Sequence, residues 1–189
     1  MANQFEQVLR AIGERTLDII KQPLIHKEML WILLPLLVTL LIMEIYFGRY
    51  KREELGWNSA VSNSLVLFFV GMNLASFLYA NNLLVGLRNI QPEFIDIAIK
   101  KTLITLVIVL ESIFLVTLDF FHLVPKSVAF GVSSETMMNY VGILSIILVY
   151  SNAAIDLITV PAILLIFIVF VLFFWTIRFI EPKVLEEEE

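Results

Sequence analysis

Residues 102–118 read Thr-Leu-Ile-Thr-Leu-Val-Ile-Val-Leu-Glu-Ser-Ile-Phe-Leu-Val-Thr-Leu, preceded by Lys100 and Lys101 and followed by Asp119. Twelve of these residues are Leu, Ile, Val or Phe, and a single one, Glu111, can ionise. As a helix the run extends about 25 Å, most of the roughly 30 Å hydrocarbon core of a bilayer. Four more apolar stretches accompany it. They lie at 29–43, in the charge-free segment between Asn58 and Arg88, at about 134–151, and at about 157–180.

The whole chain agrees with that stretch. Of 189 residues 59% are hydrophobic, where soluble domains carry about 45–50%, and the mean hydropathy is +0.89. Five spans of about 20 residues would absorb most of this surplus, which a soluble domain of this size could not bury. The expected fold is an all-α integral membrane protein. It is a bundle of about five membrane helices preceded by an amphipathic interfacial helix.

The expected organisation is as follows. Residues 1–23 form the interfacial helix. Phe5, Val8, Leu9, Ile12, Thr16, Ile19 and Ile20 recur at spacings of three and four, with Glu6, Arg10, Glu14, Arg15 and Asp18 in the other positions, and Pro23 ends it. The helix either rests in the membrane interface or packs on its own protein. Residues 24–182 form the membrane domain, with helices at about 28–49, 60–84, 92–122, 134–151 and 157–180. Pro35 lies inside the first, Pro92 suits the first turn of the third, and Ser133 or Ser134 caps the fourth. Residues 183–189 form an acidic tail. The first hydrophobic run begins near Met29 behind a charged stretch, so no cleavable signal peptide is expected.

The fourth segment is short for a crossing and reads as either a span or a re-entrant helix. Length and capping favour five helices, whereas the positive-inside rule favours four full crossings. With five crossings the N-terminal side carries seven Lys and Arg against six. With a re-entrant fourth segment the division is nine against four. The expected placement is the cell membrane with the N-terminus on the cytoplasmic side.

Several functions are excluded or disfavoured by counts. There is no cysteine, hence no disulfide and no thiolate site, and the two histidines, His26 and His122, make a multi-histidine metal site unexpected. No metal or other cofactor is expected. The net charge is −5, of which the run Glu186–Glu189 supplies four charges, so there is no basic face for nucleic acid.

Glu111 is the exception that carries information. It lies ten residues beyond Lys101, about 15 Å along the helix, at the bilayer midplane. The apolar residues around it contribute about −5 kcal/mol to insertion, against about 3 for one central acid. An ionisable group there is a functional candidate, as a proton or cation site. The plainer reading is a protonated acid bonded to Asn73, to Thr39 or to a neighbouring subunit. Alternating crossings gather Glu44, Asn63, Asp119, His122 and Asn139 in one leaflet, as a vestibule or as a hydrated interface. Ala60, Ser64, Gly71 and Ala75 form a small-residue packing seam on the second span, within or between subunits.

Glu53-Glu54-Leu55-Gly56-Trp57 resembles the first motif of CAAX-type intramembrane proteases. That family continues with an arginine, where this chain has Asn58. Its later motifs pair Phe with His four residues on, and His with Asn or Asp. Here Leu118 precedes His122 and Lys126 follows it, so neither later motif is met and the resemblance carries no activity over. Asp119 and His122, three apart, could do acid–base work, but no nucleophile accompanies them. The leading expectation is a homo-oligomeric cation or proton channel or transporter built on Glu111. The alternative is a non-catalytic membrane scaffold or assembly subunit. The bilayer and further copies of the chain are the expected partners, with an ion or proton as the species handled.

Overall fold

A computed structural model describes residues 2–49, 56–87 and 89–180. Most of the charged 49–58 loop, with Glu53 and Glu54, and the acidic tail lie outside the described residues. Among the described residues there are seven α-helices and two single-turn 3-10 segments, and no strand. The helices are α1 Ala2–Ile25, α2 Leu30–Arg49, α3 Trp57–Ala80, α4 Ile95–Phe120, α5 Lys126–Val132, α6 Glu135–Tyr150 and α7 Thr159–Ile180. Five segments are long and apolar enough to cross a membrane: α2, α3, α4, α5 with α6, and α7. The protein is an all-α membrane bundle.

Helix boundaries follow local chemistry. Helix α1 continues two residues past Pro23, which sits in its last turn rather than ending it. Helices α3 and α4 end alike. Asn82 and His122 take left-handed backbone (φ 57° and 54°), and the next amide reaches back five residues, Leu83 N to Leu78 O and Leu123 N to Leu118 O. This is the Schellman closure, with Asn and His where glycine is usual. Helix α3 therefore stops at Ala80, short of 84. Ser134 caps α6 by accepting from the Met137 amide, which leaves Ser133 free for another role. The short α5 carries no sequence signal beyond Pro125 at its N-cap.

Helices α3 and α4 make the most extensive helix pair. The buried residues of α3 include Ala60, Ser64, Leu67, Gly71, Leu74 and Leu78. Those of α4 are Ala98, Lys101, Thr105, Ile108, Ser112, Leu115 and Asp119. Both sets alternate steps of three and four, the 3.5-residue repeat of coiled-coil packing. The small-residue seam is thus intramolecular, with one correction: Ala75 flanks it, and Leu74 and Leu78 continue it. Gly71 permits a close approach, since a Cβ there would lie 2.7 Å from Val109 Cγ2.

Helix α6 is the hub. It packs on α1, α2, α3, α4 and α7, and 61% of the apolar stretch of the α5–α6 segment is buried, against 11% in α7. Its first turn meets the C-terminal end of α2 through Thr136 and Glu44. Its last turn meets the N-terminal end of α4, where Lys101 Nζ donates to Ser151 O at 2.8 Å. A re-entrant segment would return both ends to one side. Helix α6 instead runs the length of the bundle. It tolerates Asn139, Tyr140 and Ser145 because protein rather than lipid surrounds them.

Helix α1 is fastened to the turn between α6 and α7. Arg15 donates to Asp156 Oδ2 at 3.0 Å, to Thr159 Oγ1 at 3.3 Å and to the Ala154 carbonyl, while Thr16, Ile19 and Gln22 are buried beneath the helix. Asp156 also caps α7 by accepting from the Ile158 and Thr159 amides. Burial acts to raise the Asp156 carboxyl. The Thr159 hydroxyl and amide, Arg15 and the Ile158 amide outweigh it and hold the group below the ordinary aspartate range. With the folded pKa depressed, the contribution is complete above about pH 4 and is lost as pH falls through the lowered value. Arg15→Ala is expected to speed hydrogen exchange of α1 amides about tenfold, leaving α6 amides unchanged. Acidification below pH 4 should move the wild type in the same direction. Unchanged α1 exchange in Arg15→Ala would show that the fastening contributes nothing.

Candidate functional site

The end of the bundle where α4 finishes and α6 begins is polar inside. Asp119, in the last turn of α4, is 1% exposed. Its Oδ2 accepts from Ser64 Oγ at 3.0 Å and from Ser133 Oγ at 2.6 Å. The two hydroxyls are 3.3 Å apart, and Asn63 Nδ2 donates to Ser133 O at 2.9 Å. The register of α3 presents Asn63 and Ser64 about two turns inside its start. The break between α5 and α6 delivers Ser133 from a third direction.

Glu44 is buried and accepts a hydrogen bond from Thr136. Asn139 donates to Glu135 O at 2.9 Å, and its Oδ1 is buried without a hydrogen-bond partner among the described residues. A cleft of about 260 Å³ opens at this end, lined by Met43, Asn58, Ser59, Ser62, Asn63 and Glu135. Four of the leaflet residues named from sequence, Glu44, Asn63, Asp119 and Asn139, therefore lie at one end in polar contacts.

His122 does not join Asp119 in an acid–base pair. The left-handed turn carries its ring onto Trp57, with centroids 4.1 Å apart, and Phe130 meets the other partner of that stack edge-on at 5.3 Å. This is an aromatic anchor at the bundle end.

Glu111 sits apart from this cluster. It lies between Ile108 and Ser112 in the chain but off the buried line of α4, at the margin of the bundle and half-buried. Among the described residues it makes no hydrogen bond or ion pair with Asn73, Thr39 or any other group. Asn73 instead accepts from Tyr150 Oη at 2.7 Å, and the Tyr150 ring stacks on Phe77 at 3.7 Å. Between the polar end and Lys101 the core is closed by Leu67, Val70, Leu74, Ile146 and Val149.

Sequence reading missed Ser133, Thr136 and Lys101. Hydroxyls are common in membrane helices and Lys101 looks like an edge marker, so neither announces a buried contact. Tyr140, which ties α6 to α7 through its hydroxyl on Ile163 O at 2.7 Å, was equally silent. No family model, curated protein or solved structure matches the chain. The architecture therefore defines the class, a polytopic all-α membrane bundle, and function rests on the residues themselves.

Proposed function

We propose that the protein is a homo-oligomeric channel or transporter for a cation or proton, with Glu111 of each copy at the boundary between subunits. The observation that carries this is the position of Glu111: a carboxyl at the margin of the bundle, at the depth expected for the midplane, with no hydrogen-bond or ion-pair partner among the described residues. Facing lipid, it would be costly. Facing a second copy, it could share a proton or a cation with its symmetry mates. The closed core of the single bundle favours a route between subunits over one within them.

On this reading the membrane is the cell membrane and the N-terminus is cytoplasmic; the seven-to-six division of Lys and Arg is too even to set the orientation by itself. Phe5, Val8, Leu9 and Ile20 on α1 are exposed beside its docked face, which suits a helix half immersed in the headgroup boundary.

Two measurements test the reading. Glu111→Gln in proteoliposomes is expected to cut cation or proton flux at least about tenfold. Because the chain has no cysteine, Val107→Cys, one turn before Glu111 and exposed, is expected to form a disulfide-linked dimer on oxidation in membranes. Unchanged flux in Glu111→Gln would overturn the carboxyl's role. Monomer only, after oxidation, would overturn the subunit boundary. A second reading, a non-catalytic scaffold or assembly subunit, has one observation in its favour: a lone midplane acid can also serve as hydrogen-bonding glue to a partner helix. It predicts the crosslink but full function in Glu111→Gln.

A further inference from the structure

The buried end of α4 holds a feature that the Glu111 reading does not use. Asp119 receives both of its hydroxyl donors on Oδ2, while Oδ1 is buried with no hydrogen-bond partner among the described residues. Among the described residues, no Lys, Arg or His side chain pairs with it. Two hydroxyl donors and the nearby N-terminal end of α6 offset the removal of this carboxylate from water only in part. Among the described residues, the coordination of this carboxylate is incomplete.

From this geometry we propose that Asp119 binds a monovalent cation of the sodium class at its Oδ1 side, with Ser64 and Ser133 hydroxyl oxygens as further ligands. The donor chemistry selects the ligand. Each serine directs its proton at Oδ2 and keeps oxygen lone pairs to offer. One carboxylate with neutral oxygens supplies a single negative charge, which a monovalent ion neutralises. Calcium-type sites collect several carboxylates, and among the described residues no three His, Cys, Asp or Glu side chains converge. Transition metals would call for imidazole or thiolate. Asn63 bonds to Ser133 and also lines the polar cleft of about 260 Å³, so the same residue borders both the site and a route for a hydrated ion.

The site is independent of Glu111, and its test reads binding rather than flux. Purified protein is heated in NaCl, KCl or LiCl titrated against choline chloride at constant ionic strength and pH. Sodium is expected to raise the wild-type Tm by about 5 °C at concentrations far above Kd, and by a further increment with each tenfold rise. Tracer sodium should bind at one ion per chain. Asp119→Asn should abolish the shift, Ser64→Ala should weaken it, and Glu111→Gln should keep it. Wild-type protein indifferent to every alkali cation would overturn the proposal without any variant needing to fold. So would a shift that persists in Asp119→Asn, or stability that follows pH alone, which would make Asp119 a proton site.

Discussion

Gly71→Leu is expected to prevent the bundle from reaching its folded state. Gly71 lies on the α3 line that packs against α4, where even a Cβ would meet Val109 Cγ2 at 2.7 Å and, at 3.4 Å, Ile108 Cγ2 and the Val109 backbone nitrogen. The side chain could yield slightly, but the backbone could not without separating the helices. A leucine adds three further carbons in the same direction. Overpacking costs about 1–3 kcal/mol when neighbours can adjust, and more is expected here because both sides are helices in close register. The readout is a monodisperse size-exclusion peak and its Tm, both of which should be lost. Gly71→Ala should lower Tm moderately and be rescued by Val109→Ala, the coupling that direct contact predicts. Gly142→Ala is the control: its Cβ would find Val70 at 3.7 Å, an ordinary contact. A Gly71→Leu protein with the wild-type Tm would refute the α3–α4 packing.

Lys101→Glu should be nearly as damaging. Lys101 is 4% exposed, and its ammonium donates to the carbonyl of Ser151, the residue that closes α6. Helix C-termini carry unsatisfied carbonyls and partial negative charge, so a buried cation fits this position and a buried anion opposes it. Charge reversal leaves a carboxylate against a carbonyl in a site closed to water, at a cost of about 3–5 kcal/mol. Lys101→Met keeps the aliphatic stem and loses only the donor, at about 1–3 kcal/mol. The expected order of Tm is wild type, then Lys101→Met, then Lys101→Glu. A Lys101→Glu protein at least as stable as Lys101→Met would show that the side chain is not held at α6.

The membrane class was legible at once, because a surplus of apolar residues in runs of bilayer length has few other uses. An expected depth for Glu111 was legible too, since it needs only a count of residues from Lys101. Which face of each helix is buried was not. In a soluble helix polarity marks the outer face, but lipid and protein interior are equally apolar, so residues on both sides of α4 look alike. Small residues gave a partial marker, enough for Ala60, Ser64 and Gly71 but misleading at Ala75.

The convergence of Asn63, Ser64, Asp119 and Ser133 lay further out of reach. It joins positions up to 70 residues apart, and each is unremarkable in its own segment. The same limit applied to the fourth segment, whose shortness and flanking charge left crossing and re-entry open. Its ends meet Glu44 and Lys101 at opposite ends of the bundle, and the helix is less apolar because other helices, not lipid, form its surroundings. Chain composition thus established where this protein lives and how many helices it brings there, since transfer into a bilayer depends on each segment's own residues. Which polar groups meet, and which acid is left facing outward, depends on helix rotation and register, and those are settled by close packing between segments.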